Sequence, residues 1–378
     1  MKFSICIPNY NYARYLGRTI QSILDQDYSD LEVLISDNAS TDDSVALVRG
    51  IADPRIHVHV NQANVGFAAN LDRAARLATG DRVIMLSSDD LLRPGALSTY
   101  RALADALGER AGQSVFSATW DVIDPDDKPI GRTGPNERLW LQSDRVAELE
   151  RVVGAPVYGV AADELLRRAL GIMGNPFNFA CTCYPRALYQ RVEGYGGGRM
   201  INPDKWFNWR LLGVAERAYY VDKPICAYRW HPQNQTAQQA ATGALKYLVD
   251  EYASTLELDA ALLKRIGVDR SVVVQSFVEH DIARHGLATL ARGSSARARR
   301  ILNFGRSVYP TETRRNWKTW ALGGLLALGP LGRAIAKAAY DRVGHISPEP
   351  GLTTETRSAQ RIHRGSFAAW SSSHHEHD

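Results

Sequence analysis

Arg82-Val-Ile-Met-Leu-Ser-Ser-Asp-Asp90 is the stretch on which the fold turns. Arg82 to Leu86 reads as a short apolar strand, and the run stops abruptly at two adjacent carboxylates, Asp89 and Asp90. Packing alone does not call for acids there, because a carboxylate taken out of water without a partner costs several kcal/mol or gives up its charge. Two readings fit. One is a divalent-metal site at a strand end. The other is a solvated turn leading into the helix that Arg93-Pro94 restarts, since Asp is favoured in turns and at helix starts.

Upstream, strands and helices alternate. Phe3–Pro8 and Leu31–Ile35 are apolar runs, and Ile56–Val60 is a third strand. Leu16, Ile20, Ile23 and Leu24 recur at helical spacing between the first two, and Phe67, Leu71, Ala74 and Ala78 mark a further helix ended by Gly80. Ser40 with Asp43 resembles a capping box. This alternation predicts a mostly parallel α/β sheet flanked by helices, whose ligand crevice lies beyond the carboxyl ends of the strands. Asn9 and Tyr10, Asp37 and Asn38, and Asp89 and Asp90 each fall just past the end of a different strand, so the topology gathers them on one rim. Neither G-x-G-x-x-G after the first strand nor G-x-x-x-x-G-K-[ST] occurs, which disfavours a dinucleotide dehydrogenase or a P-loop enzyme. Phosphates would then be held by a metal on carboxylates.

Further along, a helix runs from beyond Pro94 to about Leu107 and Ser114 to Ile123 is strand-like, whereas Asp124 to Pro156, rich in Asp, Pro and Gly, reads as loop. Asp163–Leu170 is a helix, Ala180–Tyr184 a strand, Asn202-Pro203-Asp204 the start of a helix, and Ala218–Val221 and Cys226–Trp230 two short strands. From about Ala240 the pattern is helical and basic. At 378 residues, with 45% hydrophobic and 23% charged, the chain is globular and long enough for more than one unit. The net charge of +4 is uneven, with Arg dense from Arg292 to Arg315 and around Arg333 and Arg342. That distribution suggests an anionic surface, either phospholipid or an acidic substrate. No aromatic platform is interleaved from Arg292 to Arg300, so nucleic acid is not an expected partner. The apolar run Trp320–Gly332 is too short to span a bilayer, which leaves a surface-lying helix or one packed on the globular body. Four cysteines, irregularly spaced, read as reduced core thiols and point to the cytoplasm. Met1-Lys2 enters a strand directly, leaving no room for a secretory signal. The polar tail beyond Ile346 reads as disordered.

These pieces together resemble an inverting family 2 glycosyltransferase of the GT-A fold. The resemblance rests on Ser4-Ile-Cys-Ile-Pro-Asn-Tyr-Asn11, Ser36-Asp-Asn-Ala-Ser-Thr-Asp42, Asn64-Val-Gly-Phe67 with Asn70, and Gly80-Asp81 through Leu86-Ser-Ser-Asp-Asp90, in the family's order and spacing. It continues through Gly194-Tyr195 and Pro203–Leu211 to Tyr228-Arg-Trp-His231. Composition marks a basic helical extension over 241–346, either membrane-associating or packed on the body, and a disordered tail over 347–378; the resemblance covers roughly the first 240 residues and implies a nucleotide-sugar-binding half over 1–110 and an acceptor-binding half over 111–240. It also implies transfer of a sugar from a nucleotide-diphosphate donor to a glycan or lipid-linked glycan acceptor, with Mg2+ or Mn2+ as cofactor, at the cytoplasmic face of a membrane.

By this resemblance Pro8, Asn9 and Tyr10 line the base and ribose pocket and Asp37 binds the nucleobase. Asn64, Gly66, Asn70 and Ser88 complete the donor site. Asp89, Asp90 and His231 hold the metal, and Asp204 is the general base. Three departures stand out: Ser87 where the metal motif usually has its first acid, Ala69 where many members have Arg, and Pro203 where the base is usually preceded by Glu. Ser87 and Pro203 keep open a rival reading, a catalytically inactive nucleotide-sugar-binding protein of the same fold.

Overall fold

The structure is a computed structural model of the chain and describes residues 1–196, 200, 203–234 and 244–343. Asn202 and the tail beyond Ile346 lie outside the described residues. Among the described residues the chain divides into two compact units, one within Met1–Leu165 and Pro176–His231, the other within Leu166–Asn175 and 232–343.

The first unit is built on a single sheet. β1 (Phe3–Asn9), β2 (Leu31–Asp37), β3 (Ile56–Val60) and β4 (Arg82–Met85) are separated by α1 (Ala13–Leu24), α2 (Ser44–Arg49) and α3 (Phe67–Arg76). β5 (Leu91–Leu92), α4 (Ala96–Leu107), β6 (Ser114–Ile123), β7 (Pro129–Thr133), α5 (Ala147–Val153) and β8 (Val157–Ala161) follow. Then come α6 (Ala162–Ile172), β9 (Cys183–Pro185), α7 (Arg186–Arg191), α8 (Asp204–Val214) and β10 (Arg217–Arg229). The spatial order is β3-β2-β1-β4-β9-β6-β10-β5, with β7 against β6 and β8 against β10.

β1, β2 and β4 are buried at every position, as expected of parallel strands covered on both faces. Pairing is parallel among β1–β4 and between β6 and β10, and antiparallel where β5, β7, β8 and β9 join. The sheet is therefore parallel over β1–β4 and between β6 and β10, with antiparallel strands added around them. Phe3, Ile5, Ile7, Leu16, Ile20, Ile23, Val33 and Ile35 form one core with Leu97, Leu103 and Phe116, and each such side chain contributes about 1.5–3 kcal/mol by leaving water. The chain steps outward from β1 to β2 and β3, then returns to the other side of β1 as β4. That reversal is the switch point, and it brings the exits of β1, β2 and β4 side by side.

Several sequence expectations change. Ser40 is not a helix cap: its hydroxyl donates to Asp37 Oδ2 at 2.7 Å, and Asp42 accepts the Ser44 amide at 3.0 Å and the Ala13 amide at 2.9 Å instead. Gly80 lies beyond the end of α3, and a Cβ there would stand 2.7 Å from the Lys2 carbonyl, so glycine allows the chain to pass β1 closely. The expected loop 124–156 contains β7 and α5. The two expected strands near 220 are one strand, β10, whose register shifts on either side of Pro224, where a proline without an N–H is tolerated. Cys181 and Cys226 are joined by a disulfide, with Cα atoms 6.1 Å apart, while Cys6 and Cys183 remain free and buried. The reading of four reduced thiols is thus corrected.

The second unit is helical among its described residues, from Ala244–Glu257 to Trp317–Ala327 and Pro330–Val343, around Leu290, Ala298, Leu302, Leu322 and Leu326. No helix among the described residues is long and apolar enough to cross a membrane.

Candidate active site

Register alone sets the first contact of the site. β1 and β2 pair so that Asn9 faces Asp37, and Asn9 Nδ2 donates to Asp37 Oδ2 at 2.8 Å. Asp37 is almost fully buried, and its second oxygen accepts the Ser40 amide at 2.9 Å. Pro8 is buried within β1, whereas Tyr10 just outside it is 42% exposed at the rim. Asn11 adopts φ 59° in the connecting loop, and its side-chain oxygen accepts the Thr41 amide at 2.7 Å, which ties the exits of β1 and β2 together.

The exit of β3 is framed by amides. Asn38 Nδ2 donates to Asn64 Oδ1 at 2.8 Å, Asn38 Oδ1 accepts the Val65 amide at 2.9 Å, and Asn64 Oδ1 accepts the Gly66 amide at 2.9 Å. Gly66 has φ 85°, a conformation that a side chain strains, although a Cβ there would meet open space. Asn70 is 3% exposed: Nδ2 donates to the Ser36 carbonyl at 2.9 Å, and Oδ1 accepts from the Ser36 hydroxyl at 2.8 Å and Asn61 Nδ2 at 3.0 Å. Its amide is thus committed to holding the loops.

After β4 the chain turns at once. The Asp90 amide donates to the Ser87 carbonyl at 3.2 Å, and the buried Ser88 offers its carbonyl to the Thr19 hydroxyl at 3.0 Å. This turn aims the two acids in different directions. Asp89 Oδ2 lies 2.9 Å from His231 Nε2, joining residues far apart in sequence. Asp90 Oδ1 instead accepts the Arg229 amide at 2.9 Å. Asp89 and His231 therefore come together, and Asp90 holds the end of β10. Among the described residues no group of three or more His, Cys, Asp or Glu forms a metal-binding cluster.

Arg229 was passed over in the sequence, and the structure makes it the hub of this end of the sheet. Its guanidinium is fully buried. It donates to the Asp89 carbonyl at 2.7 Å and the Asp124 carbonyl at 3.1 Å, pairs with Asp127 at 2.5 Å, and stands 4.9 Å from the Tyr15 ring centre. A buried cation is tolerable with this many acceptors. The Tyr15 ring also lies 4.8 Å from the His231 ring, and Tyr12 packs edge-on to it at 5.8 Å. Burial, then the charges of Asp89 and Asp90, push the Tyr12 phenol well above its ordinary value. The only sequence signal for this pair was their spacing of three at the start of α1. Among the buried polar atoms here, Asn9 Oδ1 and the Tyr15 hydroxyl have no hydrogen-bond partner. Asp204 is the first residue of α8 and is half-buried. Further on in the same helix, Arg210 caps the Val192 and Gly194 carbonyls at 2.6 and 2.5 Å.

An α/β sheet whose acids gather at its switch point has the arrangement in which such folds take a ligand. The comparisons agree. Residues 4–143 match the family model described as Glycosyl transferase family 2. An uncharacterized glycosyltransferase of Nostoc sp. is 36% identical over 135 residues, covering 34% of this chain and 40% of the relative. The GalNAc(5)-diNAcBac-PP-undecaprenol beta-1,3-glucosyltransferase of Campylobacter jejuni is 38% identical over 107 residues, covering 28% of this chain and 35% of the relative. The chain thus spans less than half the length of these curated relatives. The crystal structure of S. aureus TarS 1-349 in complex with UDP-GlcNAc superposes with a TM-score of 0.59 at 15% identity, covering 91% of this chain and 92% of that one; this likeness concerns the fold.

Proposed function

We propose that the chain is an inverting glycosyltransferase that passes a sugar from a nucleoside-diphosphate donor to a hydroxyl of a glycan or lipid-linked glycan, in the building of a cell-surface polysaccharide or glycolipid. The observation that carries this reading is the convergence of Asn9 with Asp37 and of Asp89 with His231 at the switch point, beside two buried acceptors left without partners. The undecaprenol-linked substrate in the name of the Campylobacter relative supports the acceptor class, and the UDP-GlcNAc held by TarS supports the donor class.

Asp37 and Asn9 receive the base, with Pro8 beneath and the exposed Tyr10 ring available to stack on it. Asn64, Gly66 and Asn70 shape the rim through the loops they hold, and the Ser88 turn places Asp89. The donor set fits a divalent cation such as Mg2+ or Mn2+, which usually takes one or two protein ligands and completes its shell with phosphate and water. Asp89 and His231 would supply those ligands, with Asp90 fixing the strand end behind them. When bound, the ion stabilises the negative charge that develops on the departing diphosphate. Arg229, bonded to the Asp89 carbonyl, keeps the carboxylate in place. In transfer, the acceptor oxygen bonds to the anomeric carbon as the bond from that carbon to the diphosphate oxygen breaks, and the acceptor proton goes to the Asp204 carboxylate. Attack opposite the leaving group inverts the configuration.

A panel of sugar nucleotides tests this directly. Metal-dependent donor hydrolysis with at least one of them, abolished by Asp89→Ala, is the expected result. Binding without hydrolysis across the panel would favour the inactive reading.

A further inference from the structure

Two helices of the second unit present apolar side chains on the face opposite their own core. Trp317–Ala327 buries Thr319, Leu322 and Leu326, spaced three and four apart. Trp317 and Trp320, also three apart, are 72% and 73% exposed. The next helix, Pro330–Val343, repeats the division: Ala336 is buried, while Leu331 and Ile335 are 61% and 46% exposed. Leu328, in the short connection, is 53% exposed. The helices meet at Gly332, where a Cβ would collide with the Leu325 backbone, so glycine allows their close approach, and the exposed apolar residues stand on these two consecutive helices and the connection between them. A contiguous set of large exposed apolar side chains marks a binding surface.

Charge decides the occupant. From Arg314 to Arg342 the sequence holds six Lys or Arg and one acid, Asp341, which Lys337 pairs at 2.9 Å. Arg314, Arg315 and Arg333 are exposed, and among the described residues their side chains make no hydrogen bond or ion pair. We propose that this face docks on the anionic surface of a phospholipid bilayer. The indole rings and Leu328, Leu331 and Ile335 enter the headgroup boundary, and the three arginines meet lipid phosphates. Tryptophans beside cations are the composition of a helix lying in that boundary. Such a helix lies on the membrane, consistent with the lack of a spanning helix among the described residues. A second copy of the chain is a poorer occupant, because a two-fold contact would set these arginines against like charge. The inference deepens the proposed function by naming the surface where a lipid-linked acceptor would be met; binding is measured without turnover, so the two readings fail separately.

The test floats the full chain with vesicles of phosphatidylcholine alone and of phosphatidylcholine mixed with phosphatidylglycerol. Binding to the mixed vesicles only, weakened by salt, is expected. Each cation near an anionic surface is worth roughly fivefold in binding, so reversing all three with Arg314→Glu, Arg315→Glu and Arg333→Glu should remove the preference for the mixed vesicles. Trp317→Ala with Trp320→Ala should weaken binding by roughly tenfold or more. All five side chains are exposed, so donor hydrolysis should be unchanged in both variants and Tm nearly so, Trp320→Ala removing one exposed hydrogen bond to the Arg314 carbonyl. Failure of the wild type to float with mixed vesicles, equal floating by the variants, or self-association through the tryptophans in place of vesicle binding would overturn the proposal.

Discussion

Glu32 and Asp37 stand on the same strand, five residues apart, and the two ends of β2 have different work. At the amino end Glu32 is buried and surrounded by donors: Lys2 Nζ and the Ser4 hydroxyl at 2.6 Å, the Thr79 amide at 2.7 Å and the Gly80 amide at 3.3 Å. Burial opposes its ionisation, but hydrogen bonds from Lys2, Ser4 and Thr79 outweigh that and hold its pKa at about 2. At the carboxyl end the acids share their surroundings with buried acceptors that have no partner, Asn9 Oδ1 and the Tyr15 hydroxyl. Native proteins rarely leave such atoms unpaired without reason. Asp37 too has both oxygens bonded, to Asn9 and Ser40; what sets the carboxyl end apart is the unpaired polar atoms beside it, a rim arranged for something that arrives.

That contrast can be broken in graded steps. The largest effect belongs to Asp204→Asn, which should lower transfer by about 10²–10⁴-fold while leaving donor affinity close to wild type. Kinetics alongside calorimetric donor titration would separate the two, and equal loss of both would remove Asp204 as base. Next, Asp89→Ala should cost roughly 10²-fold or more in donor hydrolysis, with a lower Tm because the buried His231 ring loses its 2.9 Å partner. The converse is expected of Glu32→Gln: a stability loss of about 1.5–3 kcal/mol, read from denaturant midpoints, with turnover kept at a permissive temperature. The smallest effect is in pH. Because the folded pKa of Glu32 lies below its usual 4.5, its contribution is complete above about 4.5 and is lost as pH falls towards about 2. Denaturation curves between those values should fall less steeply with pH in Glu32→Gln than in wild type.

Much of the fold was legible where local pattern and global burial agree. β1 to β4 are apolar runs between helices of regular spacing, and their exits could be placed on one rim from topology alone. The additions were not legible. β5 is two residues long, and β7 and β8 lie in or beside a stretch whose Asp, Pro and Gly content argues for loop. In β10, Asp222-Lys223-Pro224 interrupts the apolar pattern, so one bulged strand looked like two. Ser40 looked like a cap because its spacing to Asp43 fits one, yet Asp37, three residues earlier, is the partner it finds. Within the site, the individual acids were visible but their aim was not. Only the turn at Ser87–Asp90 sends Asp89 to His231 and Asp90 to the Arg229 amide, and Arg229 gains its importance from acceptors on a loop about a hundred residues away.

The most direct test of the central claim is a thermal-shift titration of wild type, Asp89→Ala and Glu32→Gln with UDP and GDP, each with and without Mn2+. The account predicts metal-dependent stabilisation of wild type by at least one nucleotide, its loss in Asp89→Ala, and its persistence in Glu32→Gln on a lower baseline Tm. Stabilisation that survives in Asp89→Ala, or that disappears in Glu32→Gln while the protein remains folded, would contradict it.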